Sequence, residues 1–155
     1  MYTIKICESA DDFEKANNLA RDYIDWLNMD LTFQNVDGEF RDFEKMYSKP
    51  KGCFLITLTE KEVIAGGVGL RILTTDICEM KRLFVYPEYV KKGIGKKLCL
   101  ELIVQAKSMG YKKMRLDTLA RLEAANKLYK KLGFYEIEPY RENPDPTAKF
   151  MELKL

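Results

Sequence analysis

The residues best suited to bind a charged ligand surround two closely spaced glycines. Residues 85–97 read VYPEYVKKGIGKK, where a predicted strand ends and a predicted helix begins. The first turn of a helix carries about half a positive charge and several unpaired N–H groups, so lysines there repel it by a few tenths of a kcal/mol each. Four lysines nevertheless cluster at this helix start: Lys91, Lys92, Lys96 and Lys97.

An anion bound at the helix start would explain these lysines. Gly93 and Gly95 would let backbone N–H groups approach a phosphate closely. The alternative is a tight turn followed by solvated lysines, and spacing alone does not separate the two. The stretch is not a Walker loop, and Leu98 occupies the third glycine position of a dinucleotide motif. The stretch therefore predicts a phosphate or pyrophosphate site, and a tight turn with solvated lysines remains the alternative.

The absence of histidine from the sequence limits the chemistry. Ser-His-Asp and Cys-His nucleophilic sites are excluded, as are the common zinc constellations, and we expect no metal. A general base must be a carboxylate, an amine, a phenol or water.

Composition predicts a single domain over residues 1–155. The chain is 46% hydrophobic and 32% charged, as is typical of a globular protein, and its net charge of +2 gives no overall signature of nucleic-acid binding. No signal peptide and no 18-residue apolar run is present, so we expect no membrane association and a cytoplasmic location. Four singly spaced cysteines predict reduced core thiols: Cys7, Cys53, Cys78 and Cys99.

The elements that must position these residues follow from hydrophobic periodicity. A β-α-β crossover around the lysine-rich stretch predicts one parallel strand pair, and the whole predicts an α+β domain with a mixed sheet. Residues 29–37 carry no clear pattern. The predicted strands are 2–7, 53–59, 63–73, 77–85, 112–119, 134–140 and 149–155, and the predicted helices are 11–28, 38–47, a segment from the lysines to 109, and 122–132.

Three segments in this order resemble the GNAT superfamily of N-acetyltransferases: CEMKRLFVYPEYVKKGIGKKL, MRLDTL and AANKLYKKLGF. The similarity extends from about Cys53 to the end and is greatest with a bacterial-type small-molecule branch. It implies a three-layer fold, with a mixed, mostly antiparallel twisted sheet and a central parallel strand pair flanked by helices. It also implies transfer of an acetyl group from acetyl-CoA to a primary amine of a small molecule by direct attack.

Two other functions remain open on the same fold: acetylation of a protein or peptide amine, and non-catalytic sensing of acyl-CoA. A homodimer is also open.

The resemblance implies that backbone groups of one strand segment pair with pantetheine and that the following loop holds the pyrophosphate. These cofactor residues are Leu83, Phe84, Val85, Lys91, Lys92, Gly93, Ile94, Gly95, Lys96 and Lys97. The chain departs from the family pattern at Val90, where Arg or Gln is usual, and at Leu122, where many relatives have Asn.

The resemblance also suggests two catalytic residues. Glu79 matches the position of a general base in some relatives, and strict alternation would place it on one face with Lys81, Leu83 and Val85. An ion pair with Lys81 or an arginine is the alternative. Tyr129 matches the tyrosine that protonates the leaving CoA thiolate, and a packed core tyrosine is its alternative.

Asp117 is a second candidate carboxylate in the sequence. We expect it to be a structural partner of Arg115 or Arg82. Trp26, residues 29–37, Tyr140, Arg141 and Asn143 are weaker candidates for the acceptor site.

Overall fold

A computed structural model describes residues 1–29 and 35–155. Within these ranges the strands are β1 (Tyr2–Ile6), β2 (Cys53–Thr59), β3 (Ile64–Ile72), β4 (Ile77–Val85), β5 (Lys113–Thr118), β6 (Tyr135–Ile137) and β7 (Lys149–Lys154). The helices are α1 (Ala10–Leu27), α2 (Val36–Arg41), α3 (Phe43–Met46), α4 (Ile94–Ser108) and α5 (Glu123–Leu132). No helix in the described ranges is long and apolar enough to cross a membrane.

The strands form one seven-stranded sheet in the order β1-β2-β3-β4-β5-β7-β6. Only the β4–β5 pair is parallel among the pairings described. The predicted α+β fold, the β2–β3 hairpin and the central parallel pair are therefore confirmed. Helices cover both faces of the sheet. On one face, Leu98 and Leu102 of α4 pack in a core with Met114 of β5, and on the other, Leu19 of α1 packs in a core with Phe43 of α3 and Phe54 of β2. All four cysteines are buried and free, as predicted.

Two predicted elements differ from those observed by more than a residue at an end. The predicted helix over 38–47 divides at Asp42, whose backbone leaves the helical region at φ −106° and ψ 22°. The predicted strand over 134–140 shortens to the three residues of β6. Pro139 follows it closely and has no N–H to donate to a sheet.

A β-bulge in β4 changes which side chains share a face. Lys81 pairs with Gly69 and Phe84 with Gly67, so Arg82 and Leu83 together face one residue of β3. Arg82 has a φ of +60°, in the left-handed region. The alternation predicted from the sequence is therefore wrong after Lys81.

The bulge reverses the face of the sheet on which each side chain at the end of β4 lies. Leu83 and Val85 pack on the α4 side of the sheet with Met80, whereas Phe84 packs on the α1 side. Glu79 consequently does not share a face with Leu83 and Val85.

The parallel strands separate soon after they meet. Residues 77–79 of β4 pair with residues 113–115 of β5, but β4 continues to Val85 and β5 to Thr118. Beyond Glu79, the β5-facing backbone edge of β4 therefore makes no sheet pairing with the described residues. The gap between the two strands positions the site.

Candidate active site

A cleft of about 580 Å³ opens where β4 and β5 separate. The end of β4, the start of α4, α5 and the end of β5 form its walls, and α1 contributes aromatic side chains. Seven of the predicted cofactor residues line it: Leu83, Phe84, Val85, Lys91, Gly93, Ile94 and Gly95. Lys92, Lys96 and Lys97 are exposed beside it but are not among its lining residues. Both departures from the family pattern, Val90 and Leu122, also lie on its wall.

The start of α4 offers unpaired backbone donors to this cleft. Lys91 and Gly93 have φ values of 63° and 77°, and Gly93 caps α4 without a side-chain hydrogen bond. The first turn carries no acidic residue, and the amide of Lys97 makes the bond to the Gly93 carbonyl. Because the first N–H groups of a helix have no partner within it, these amides are available to an anion.

Gly95 keeps the cleft open next to these amides. A Cβ at this position would lie 3.7 Å from Leu128 Cδ2 and 4.0 Å from Val85 Cγ2, both on side chains that line the cleft. The unpaired edge of β4 leads to the same place. The residues therefore fit a ligand that combines phosphate groups with an amide-containing chain, as acetyl-CoA does.

Tyr129 projects from α5 into the cleft wall. Its ring is 7% exposed and packs against Phe134 at a centroid distance of 5.7 Å. Burial raises the pKa of Tyr129 well above its ordinary value, and the negative potentials of Cys99, Tyr23 and Asp117 add to this. The phenol therefore keeps its proton at neutral pH and can donate a hydrogen bond. It is both a packed tyrosine and a cleft residue.

Glu79 is fully buried and is not among the residues that line the cleft. Arg71 Nε donates to Glu79 Oε1 at 2.9 Å, the Tyr140 hydroxyl donates to Oε2 at 2.6 Å, and the Arg141 guanidinium donates to the same oxygen. Burial opposes ionisation of Glu79, but the positive charges of Lys81, Arg141 and Arg71 outweigh it and lower the pKa to about 2.

These contacts argue against Glu79 as a general base. A carboxylate that two arginines hold at so low a pKa is a poor proton acceptor at neutral pH. Glu79 instead forms ion pairs with arginines, which is the alternative role that the sequence left open for it. Tyr140 and Arg141, predicted as acceptor-site candidates, anchor the loop over residues 138–148 to Glu79.

A smaller cavity of about 50 Å³ adjoins the main cleft on the α1 side of the sheet. Among the described residues, four line both spaces: Tyr23, Asp117, Thr118 and Leu122. Asn143, an acceptor-site candidate from the sequence, lines the smaller cavity, as do Lys81 and Arg82. Burial and the neighbouring charge of Arg82 lower the pKa of Lys81 to about 7.

Asp117 does not have the partners that the sequence suggested. Arg115 Nε pairs with Glu152 Oε1 at 2.9 Å, and Arg82 makes two bonds to the Glu39 carboxylate, at 2.6 and 3.1 Å. Asp117 instead accepts a long hydrogen bond of 3.4 Å from Asn143 Nδ2. The expected pairing with Arg115 or Arg82 is wrong, because both arginines have other carboxylate partners.

An aromatic wall on α1 and β4 completes the cleft. Tyr23 and Trp26 stack with ring centroids 6.1 Å apart, and Phe84 lies 5.4 Å from Tyr23 and 5.6 Å from Trp26. Trp26, a weaker acceptor-site candidate from the sequence, is half exposed at the cleft. Sequence reasoning missed Tyr23, whose spacing on the helix showed only that it faces inward. Of the candidate stretch 29–37, residues 30–34 lie outside the described residues.

Comparison with known proteins agrees with this geometry. The Acetyltransferase (GNAT) family profile matches residues 20–134. An uncharacterized N-acetyltransferase of Schizosaccharomyces pombe is 38% identical over 153 residues, covering 98% of this chain and 92% of the relative. A GNAT-family acetyltransferase of Staphylococcus aureus Mu50 superposes with a TM-score of 0.81 at 21% identity, covering 99% of both chains.

A further solved structure carries the ligand class expected here. An N-acetyltransferase of Thermoplasma acidophilum, determined in complex with coenzyme A, superposes with a TM-score of 0.70 at 24% identity, covering 99% of both chains. The chain belongs to the GNAT family of acetyltransferases, and it is an acyltransferase enzyme of the N-acetyltransferase class.

Proposed function

We propose that the protein transfers an acetyl group from acetyl-CoA to a primary amine of a small molecule by direct attack. The observation that carries this proposal is the continuous donor surface along one wall of the cleft. The unpaired edge of β4 at Leu83–Val85 leads to the free amides at the start of α4, and Tyr129 of α5 lines the same cleft.

Each part of the donor surface matches one part of acetyl-CoA. The pyrophosphate accepts hydrogen bonds from the amides of residues 93–96, with the four nearby lysines adding positive charge. The pantetheine amides pair with the free backbone edge of β4 as an added strand would. The thioester then lies at the separation of β4 and β5, within the wall that Tyr129 helps to form.

The reaction needs a neutral amine and a stable leaving group. The amine nitrogen attacks the thioester carbon, a proton leaves the nitrogen, and the C–S bond breaks with its electron pair on sulfur. A CoA thiol has a pKa near the ordinary thiol value of about 8.5, so the thiolate is a fairly good leaving group at neutral pH. The Tyr129 hydroxyl stabilises the charge on sulfur by donating a hydrogen bond or its proton.

Two observations support a small acceptor over a protein. The loop over residues 138–148 is anchored to the sheet through Tyr140 and Arg141, and its Asn143 lines the smaller cavity on the acceptor side. The N-acetylaspartate synthetase of Xenopus tropicalis is 35% identical over 64% of this chain and 37% of its own length, and its name describes an acetylated amino acid.

The test is release of CoA thiol from acetyl-CoA, measured with a panel of amines, amino acids and peptides. We expect amine-dependent thiol release and a matching acetylated product for a small amine, and little release with peptides. Acetyl-CoA binding without turnover of any amine would indicate an acyl-CoA sensor and overturn the proposed function. Preferential turnover of peptides would overturn the assignment of a small acceptor.

A further inference from the structure

We infer that Asp117 is the residue that holds the acceptor as its ammonium ion and takes a proton from it before the nitrogen attacks the thioester. This inference rests on the proposed function and assigns the acceptor half of the same site. It assigns the general-base role, which the sequence suggested for Glu79 on β4, to a residue on β5.

Asp117 lies where donor and acceptor must meet. It is the next-to-last residue of β5, past the point where β5 stops pairing with β4. It is partly exposed and lines both the main cleft and the smaller cavity. Of the four described residues shared by the two spaces, Asp117 alone has an ionisable carboxylate.

The buried carboxylates near the site already form ion pairs. Glu79 is held by Arg71 and Arg141, and Glu39 is held by Arg82, each with its side chain buried. Asp117 forms no ion pair with the other described residues; its hydrogen bond comes from the neutral Asn143 amide. Its charge is therefore available to a cation bound in the cleft.

Both cations and aromatic rings surround Asp117. Lys81 and Arg82 line the smaller cavity and Arg121 lines the main cleft, but Arg82 is paired with Glu39, and the pKa of Lys81 is lowered to about 7.

The Tyr23 ring lines the same junction, and Trp26 stacks beside it on the cleft wall. Aromatic faces attract cations, so these rings add to the carboxylate rather than oppose it. Glu123 is the competing carboxylate on the wall, but it is exposed in the first turn of α5 and does not line the smaller cavity.

The proton balance of the step is complete. The ammonium ion gives one proton to the Asp117 carboxylate, which passes it to solvent, and the neutral nitrogen then forms the N–C bond. A second proton leaves the nitrogen after attack and ends on the CoA sulfur, directly or through the Tyr129 hydroxyl. The sum converts an ammonium ion and acetyl-CoA into an amide, CoA thiol and one free proton.

The experiment compares Asp117→Asn with wild type, using the best amine from the panel. At neutral pH we expect kcat/KM to fall by about 10²-fold, the range of a general acid–base group, with the dissociation constant of CoA close to wild type. At a pH above the pKa of the amine the loss should shrink, because the amine then arrives without its extra proton. Asp117→Glu, which keeps the charge, should recover part of the activity.

Two controls make the result specific. Glu136→Gln removes an exposed carboxylate from β6, outside the cleft, and should change neither activity nor its pH dependence. Glu123→Gln tests the competing carboxylate and should cost less than Asp117→Asn. Melting temperatures of all variants should stay near wild type; if Asp117→Asn does not fold, Asp117→Glu and Asp117→Ser carry the same comparison.

Wild-type kcat/KM in Asp117→Asn, or a loss that does not depend on pH, would overturn the inference while leaving the proposed function intact. A larger loss in Glu123→Gln would also overturn it. If the wild type acetylates no amine, the proposed function fails and this assignment falls with it.

Discussion

The two sides of the cleft are built in opposite ways. The donor side comes from one continuous stretch, from Leu83 to Lys97, and its lysines have no acidic partner in the first turn of α4. The acceptor side gathers residues from α1, β4, β5 and the late loop, and the arginines beneath it are paired with carboxylates. The positive charge of the donor side is therefore available to a ligand, whereas most charged groups of the acceptor side form ion pairs that stabilise the fold.

This difference predicts how each side responds to mutation. Residues of the donor side should affect ligand binding with little change in stability, because their amides and lysines have few partners to lose. Most charged residues of the acceptor side should affect stability first, because each leaves a buried partner unpaired. Asp117 is the exception that we propose on that side.

The largest effect is expected from Glu79→Gln, which leaves Arg71 and Arg141 without their carboxylate. We expect a loss of unfolding free energy of about 3–5 kcal/mol, as when one partner of a buried ion pair is removed. Chemical denaturation of wild type and variant measures this directly. If Glu79 is instead the general base, the variant will keep its stability and lose activity.

The pH dependence of that stability difference provides a second check. The pKa of folded Glu79, about 2, lies below the ordinary value of 4.5, so ionised Glu79 stabilises the fold above pH 4.5. The stabilisation is lost as pH falls from 4.5 towards 2, and the gap between wild type and variant should close over that range. A gap that is constant with pH would contradict the assignment.

A smaller effect, mainly on binding, is expected at Gly95. Gly95→Val would fill the space beside Leu128 and should weaken CoA binding by about 10–100-fold, equivalent to losing one or two charge-assisted hydrogen bonds. Gly95→Ala is the matched variant. It should weaken CoA binding less while raising helix stability by up to about 1 kcal/mol.

Calorimetry with CoA and thermal unfolding separate the two quantities at Gly95. Opposite changes in affinity and stability would support a donor side built for a ligand. Unchanged CoA affinity in both variants would contradict the assignment of the pyrophosphate to the start of α4.

A small effect on stability and a modest effect on turnover are expected at Tyr129. Tyr129→Phe keeps the ring against Phe134, so unfolding free energy should change by about 1 kcal/mol at most. We expect kcat to fall by roughly 10-fold or somewhat more, at the low end for general-acid groups, because the thiolate leaves readily by itself. Steady-state kinetics with CoA affinity as the control measures this; a fully active variant would make Tyr129 a packing residue alone.

The same contrast explains how much of the molecule was predictable from its sequence. The donor loop follows from local features: two glycines, four lysines, and the strand and helix periodicity on either side. The parallel β4–β5 pair follows from the crossover, and the β2–β3 pairing follows from the short polar turn between those strands. The two short helices around Asp42 did not, because nothing local to residues 38–47 marks the break.

The acceptor side was predictable only as a set of candidates. Glu79 lies 62 residues from Arg141, and Arg82 lies 43 residues from Glu39, so no local pattern identifies those pairs. The bulge at Arg82 reverses the alternation of β4 and depends on its pairing with β3. Asp117 is an acceptor-side candidate because Arg82 and Arg115, the partners expected for it, are paired with Glu39 and Glu152, and these pairings are not evident from local sequence.

A crystal structure of the protein with CoA bound tests the central claim most directly. We predict phosphate oxygens about 2.9 Å from the amide nitrogens of residues 93–96, a hydrogen-bonding distance. We also predict pantetheine amides paired with the β4 edge at Leu83–Val85 and the sulfur beside Tyr129. CoA phosphates bound instead among the cations of the acceptor side, at Lys81 or Arg82, would contradict the assignment of the two sides.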